Sequence, residues 1–257
     1  MFGRSRLPEI PVYQCYTLHS KNMPASIYAQ TDPRILPAYT LAEAAHYLLI
    51  PRATVASWLH GRSYPTVHGS KFFKPVFEVP QSWTGSVSFV NLVEAHVLNA
   101  IRRQHHIPLD KVRIAVRYLR QQFGSKHPLA EYRFETNGID LFVERYGQLI
   151  NASRSGQIAM RELLQLSLKR IQWDKAGHAI RLYPFTRKPL PDAPESVVID
   201  PKVSFGRPVI SGTGIPTAVV AERYKAGDSI DELATDYSRD RSEIEEAIRC
   251  ELQLEAA

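Results

Sequence analysis

The chain has 257 residues, enough for two or three small domains, and its 44% hydrophobic and 23% charged content is ordinary for globular protein. That excludes wholesale disorder and collagen-like repetition, and no apolar run approaches the ~20 residues that a membrane helix needs. Two cysteines, Cys15 and Cys250, are too few for a disulfide framework or a four-ligand zinc site, so a reducing, cytoplasmic setting is expected. The opening M-F-G-R-S-R-L-P lacks the apolar stretch of a secretory signal. The net charge of +6 conceals an asymmetry. Residues 1–190 carry 25 basic and 12 acidic side chains, whereas residues 191–257 carry 7 and 14. A body at +13 and a tail at −7 predict a polyanionic partner for the first and a different partner for the second.

Residues 1–38 read as a flexible leader, rich in proline and without a period, and Met23 is an alternative start. From Tyr39 the pattern changes. Thr40-Leu41-Ala42-Glu43 is a capping box, followed by the apolar face Ala44, Ala45, Leu48 and Leu49. Pro51 breaks this helix and opens a second one, Arg52 to His60, closed by Gly61. Two short helices on a tight turn make a helix-turn-helix. Val55, Trp58 and Leu59 point one way, which leaves Arg52, Thr54, Ser57 and His60 as the outward, donor-rich set for a major groove. Residues 61–86 hold Arg62, Tyr64, Lys71, Phe72, Phe73 and Lys74, a basic and aromatic hairpin of the kind that serves as a wing.

A helix capped by Ser88 runs to about His105, with an apolar stripe suited to a dimer seam or to the core. A second, from Pro108 to Gly124, sets Arg113, Arg117 and Arg120 in a column used either for solvation or on an anion. His105-His106 read as a helix end. The Asn137-Gly138 pair predicts a hairpin of Tyr132–Glu135 with Ile139–Val143, followed by a strand at Gln148–Asn151 and a helix near Gln157–Leu168. A second hairpin joins Arg170–Trp173 to Ala179–Tyr183. The intended division is 39–127 for the DNA-binding domain, 128–187 for a β-rich middle region, 188–195 for a linker and 196–257 for a tail module. In the tail two short strands around Pro208-Val209-Ile210 precede helices at 217–226, 229–237 and 238–252, the second opening with the capping box Ser229-Ile230-Asp231-Glu232. The fold class is therefore α+β, mostly helical. No catalytic constellation, metal motif or cofactor loop rises above background, and the glycines from Gly206 to Gly214 read as turn residues.

Tyr39 to Gly61 resembles a MerR-type helix-turn-helix. Residues 38–257 resemble the VapB-like antitoxins, whose carboxyl-terminal domain of unknown function carries the signature seen here from Gly206-Arg207-Pro208-Val209-Ile210 to Gly212-Thr213-Gly214-Ile215-Pro216-Thr217. The resemblance implies a non-enzymatic, DNA-binding antitoxin that silences a PIN-like ribonuclease toxin; a homodimer on operator DNA is expected because two-fold symmetry doubles the few base contacts of one helix-turn-helix. Its DNA contacts would be Arg52, Thr54, Ser57, His60, Arg62, Lys71 and Lys74. Arg207 and Arg223 are the cations near the signature: they are suited to meet the toxin's metal-binding carboxylates, or Arg207 serves only to bond carbonyls of its own turn. The alternative is a MerR-like regulator whose tail senses a ligand or oligomerises without any toxin; an enzyme with a cryptic site is a third reading.

Overall fold

A computed structural model describes residues 32–67, 69–77, 85–102, 109–187 and 192–252. The fold is α+β and mostly helical, with its strands paired two by two. Its first described feature is a 3-10 turn over Pro33–Ile35. Asp32 caps the turn by accepting from the Arg34 amide at 2.9 Å, and Arg34 reaches Asp174 at 2.8 Å. The expectation of an unstructured leader through residue 38 is corrected by this anchored turn, and residues 1–31 lie outside the described residues.

Strand β1 (Tyr39–Thr40) pairs with β4 (Ser86–Val87) and leads into α1 (Leu41–Leu48). The capping box forms as its sequence dictates: Thr40 Oγ1 accepts from the Glu43 amide at 3.2 Å, and the Glu43 carboxylate accepts from the Thr40 amide at 2.8 Å. After α2 (Arg52–His60) come β2 (Arg62–Thr66) and β3 (Gly69–Phe73), an antiparallel hairpin. Helix α3 (Phe89–Arg102) is capped by Ser88 Oγ, which accepts from the Asn91 amide at 3.2 Å. It is buried nearly all round, as a helix with apolar residues on every side must be. Its neighbours are α1, the Pro33–Ile35 turn, a 3-10 turn at Pro128–Ala130 and α6 (Arg154–Leu168). The dimer-seam expectation for this stripe is therefore corrected: the chain's own core consumes it. The expected end of this helix, beyond Arg102, and the His105-His106 pair fall outside the described residues. Helix α4 (Leu109–Phe123) buries Val112, Ala115, Val116 and Leu119 and stops at Gly124, φ 62°.

The largest correction falls at 132–151. No hairpin forms there. Phe134–Gly138 is a single π-helical turn that runs straight into α5 (Ile139–Ile150), so the 128–187 region is led by helices rather than strands. The second expected hairpin does form, as β5 (Ile171–Trp173) and β6 (Ala179–Leu182). A core centred on Trp58, Phe89, Leu92, Leu119, Phe142 and Leu164 unites all these elements. Each fully buried side chain of this kind stabilises by roughly 1.5–3 kcal/mol.

Lys188–Pro191 of the linker lie outside the described residues, but the part that follows is fixed. The buried Arg170 guanidinium donates to the carbonyls of Tyr183 (2.9 Å), Ala193 (2.8 Å) and Pro194 (2.8 Å) and stacks on Phe185. The tail consists of β7 (Val197–Val198) paired with β8 (Val209–Ile210), then α7 (Thr217–Lys225), α8 (Ile230–Tyr237) and α9 (Arg241–Leu252) around Ile210, Val220, Leu233, Ile244 and Ala247. A reciprocal bridge between Leu182 and Ile199 (2.8 and 3.0 Å) continues the β5–β6 sheet into it.

Candidate nucleic-acid interface

The helix pair is set by its corner. Leu49 takes the left-handed conformation (φ 54°), and the amides of Leu49 and Ile50 return to the carbonyls of His46 (3.0 Å) and Ala45 (2.9 Å). Pro51 then starts α2 with no amide wasted. Asn99 of α3 donates to the Leu48 carbonyl at 3.1 Å and fastens the corner to the core. Val55, Trp58 and Leu59 point inward, as their spacing requires. Arg52 and His60 stand exposed at the two ends of α2, and Thr54 is half-buried between them. Ser57 is not part of this outward set. It is 6% exposed, with its hydroxyl buried and unpartnered among the described residues. The chain returning from the hairpin closes over this end of α2, where the amides of Val76 (2.7 Å) and Phe77 (3.3 Å) both donate to the Trp58 carbonyl.

The hairpin stands beside α2 as the expected wing. Arg62 pairs with Phe73 and Tyr64 with Lys71, so Arg62, Tyr64 and Lys71 share one face. Arg62, Lys71 and, just beyond the strand, Lys74 are all exposed. Gly61 permits the turn into the wing. Its φ is 74°, and a Cβ there would come within 2.3 Å of the Phe73 carbonyl oxygen and 2.7 Å of the Phe72 ring. Val67 at the tip and Phe72 are exposed apolar side chains. From Ala44 through Phe77 the sequence contains no aspartate or glutamate.

Two residues of the arginine column have a use that spacing could not show. Arg113 Nη1 donates to the Lys74 carbonyl at 3.3 Å, with its guanidinium over the Phe73 ring at 5.4 Å. Arg120 Nη2 donates to the Val76 carbonyl at 2.9 Å. Helix α4 therefore holds the exit of the wing.

Arg207 and Arg223, the expected toxin contacts, lie apart and are each engaged at home. Arg207 pairs with Glu43 of α1 beside the Tyr47 hydroxyl. Burial works against its charge, but Tyr47 and Glu43 outweigh that and raise its pKa above the ordinary value. Burial also pushes the Tyr47 hydroxyl up to about 12. Arg223 pairs with Asp236 and Asp228, both at 2.6 Å, and covers Tyr237. Around these, Tyr39 donates to the Gly206 carbonyl at 3.0 Å, and His46 lies 3.8 Å from Glu251 of α9. Burial would raise the Glu251 carboxyl, yet His46 and the Thr217 hydroxyl hold it below the usual carboxylate range. Glu246 is likewise turned inward, bonded to Thr186, Arg187 and Arg249. The acids of α9 are thus partly internal. Cys250 is buried, and burial pushes its thiol well up, away from reactivity. Phe205, by contrast, is 94% exposed on a left-handed turn with φ 46°, 55° and 78° at Ser204, Phe205 and Gly206.

Comparison with known proteins agrees with this layout. Residues 37–116 match a family described as "Putative DNA-binding HTH domain", and residues 197–249 match "Protein of unknown function (DUF433)". The chain is 33% identical to "Putative antitoxin VapB45" of Mycobacterium tuberculosis over 236 residues, which is 83% of this chain and 93% of that protein. It is 27% identical over 218 residues to the uncharacterized protein Rv2308 of the same organism, covering 82% and 88%. The crystal structure of Rv2018 from M. tuberculosis superposes with a TM-score of 0.61 at 26% identity, over 83% of this chain and 98% of that one. With a relative of that identity and extent, and both domains matched in order, the chain belongs to the VapB45-like antitoxin family.

Proposed function

We propose that this protein is a DNA-binding antitoxin of a type II toxin–antitoxin pair, acting in the cytoplasm as a homodimer and not as an enzyme. In this reading residues 39–127 bind operator DNA and residues 196–257 neutralise a PIN-like ribonuclease. The observation that carries the DNA half is the exposure of Arg52, His60, Arg62, Lys71 and Lys74 on one helix-turn-helix and wing whose sequence holds no acid from Ala44 through Phe77. Duplex DNA presents about one phosphate charge per 1.7 Å of axis, so such a surface gains from counterion release. In this reading Arg52, which is exposed, with the half-buried Thr54 near it, meets base edges. Arg52→Ala should cost about 1–3 kcal/mol and relax specificity at one base pair. Lys71→Ala or Lys74→Ala should weaken binding to every sequence and lower the salt slope. Anisotropy titrations on the region upstream of the gene check both, and a binding curve untouched by Arg52→Ala and Lys71→Ala together would move DNA contact elsewhere.

Support for the toxin half comes from the tail's charge and from the exposed Phe205, Val219 and Tyr224, apolar anchors of the kind that protein interfaces use. Arg207 and Arg223 remain reachable at the surface and would exchange their own carboxylates for the metal-binding carboxylates of the toxin. Co-expression with the product of the adjacent reading frame should yield a complex and restore growth. Growth arrest undiminished by the full chain would sink this half alone. Two-fold symmetry would double the few base contacts that one α2 offers, and light scattering with and without operator tests it.

A further inference from the structure

We infer that α4 carries a second contact to duplex DNA, through Arg117, extending the interface of α2 and the wing along the sugar–phosphate backbone. The inference rests on the DNA-binding reading above. Arg113, Arg117 and Arg120 lie at i, i+4 and i+7, in a column about 100° round α4 from the buried Val112, Val116 and Leu119. The outer two are committed to carbonyls of the wing's exit, Lys74 and Val76, which fixes this face of α4 against the base of the hairpin. Arg117 between them is exposed and has no hydrogen-bond or ion-pair partner among the described residues. It repels its neighbours in the column, as like charges at i, i+3 and i+4 on a helix do.

The occupant follows from charge and continuity. Between Asp110 and Glu131 the sequence holds Lys111, Arg113, Arg117, Arg120 and Lys126 and no acid. The segment from Ala44 to Phe77 is also free of acids. The bonds from Arg113 and Arg120 lay these two segments side by side, so Arg117 stands on the flank that adjoins Lys74–Val76, a basic strip with no carboxylate of either segment in it. A polyanion that already lies along α2 and the wing is the partner that such a strip fits, and a guanidinium suits phosphate oxygens by its fork of donors. A contact of this type carries no base information, so its loss weakens all duplexes alike.

The test uses the full chain and two duplexes several helical turns long, one from the region upstream of its own gene and one of random sequence. Arg117→Gln should lower affinity for both by the same factor, about three- to tenfold, and reduce the log–log salt slope by about 1. Arg117→Lys should restore the slope, which separates charge from any effect on folding. A loss confined to the upstream duplex would overturn a phosphate contact. Unchanged affinity and slope in Arg117→Gln, while Lys71→Ala still weakens binding, would overturn the inference and leave the DNA-binding reading intact. If the wild type binds neither duplex in a salt-dependent way, that reading falls and the inference with it.

Discussion

The two ends of the molecule use one local geometry for opposite chemistry. Helices α1 and α8 are each eight residues long, each opens with a capping box, and each ends in a left-handed residue, Leu49 (φ 54°, ψ 48°) and Ser238 (φ 51°, ψ 48°). A second helix follows directly in both cases. Around α2 the sequence is free of acids, whereas α8 and α9 carry Asp231, Glu232, Asp236, Glu243, Glu245, Glu246 and Glu251. A helix-turn-helix is therefore a packing solution, and the charge on its outer face decides what it can approach. The contacts Arg207–Glu43 and His46–Glu251 also set the acidic unit against the first helix of the basic one.

Glycine substitution separates the two units most strongly. At the end of α2, Gly61→Ala meets both a left-handed φ and the Phe73 backbone at 2.3 Å, which cannot yield as a side chain could. We expect a loss of about 3 kcal/mol or more in denaturant unfolding, with the wing displaced and DNA binding lost. After α7, Gly227 has φ 114° but nothing within 4 Å of an added Cβ. Gly227→Ala should therefore cost only the backbone penalty, ~1–2 kcal/mol. Equal costs would show that the wing is not packed on Gly61.

Acid should loosen the contact between the units next. The folded pKa of Glu251 is depressed, so its contribution is present above the ordinary glutamate value, about 4.3, and is lost as pH falls through the lower folded value. Glu251→Gln removes that charge and leaves Thr217 and His46 with a weaker partner. It should cost ~1–3 kcal/mol at neutral pH and less in acid, and flatten the stability profile on the acid side. A mutant profile parallel to the wild type would assign the acid sensitivity to other carboxylates.

Much of this was legible in the sequence, because caps, prolines and short-range periods act locally. The capping boxes, Pro51, the wing and the three tail helices required no partner from afar. The failure at Asn137-Gly138 has a definite cause. That pair signals a hairpin when glycine takes positive φ, but Gly138 sits at φ −77°, ψ −28°. Glycine is required there by crowding: a Cβ would come within 2.6 Å of the Phe134 ring. The spacing Ile139, Phe142, Val143, Tyr146 is helical and was the better signal. The placements of Ser57, Glu246 and Glu251 were beyond reach, since each depends on residues far away in the chain. So did the role of α3, whose stripe suits a seam and a core equally until its neighbours are known.

The smallest expected effect concerns the turn at Phe205, and it is a gain. A non-glycine residue in the left-handed region costs ~1–2 kcal/mol, while glycine adds ~0.5–1 kcal/mol of unfolded-chain entropy. At 94% exposure Phe205 has almost no burial to lose, so Phe205→Gly should stabilise the chain by roughly 0.5 kcal/mol, about a degree or two in Tm for a protein of this size. Leu49 shares the same φ in the basic unit but is half-buried against the core, so Leu49→Gly should destabilise instead. The sign of the two changes, read side by side by calorimetry, is the measurement. Strain kept on an exposed aromatic persists where the surroundings hold it for a use, and the use expected here is to anchor the protein partner of the tail. Phe205→Gly should therefore be more stable and weaker in rescuing growth against the toxin. A variant that is more stable and rescues fully would leave the turn without that role.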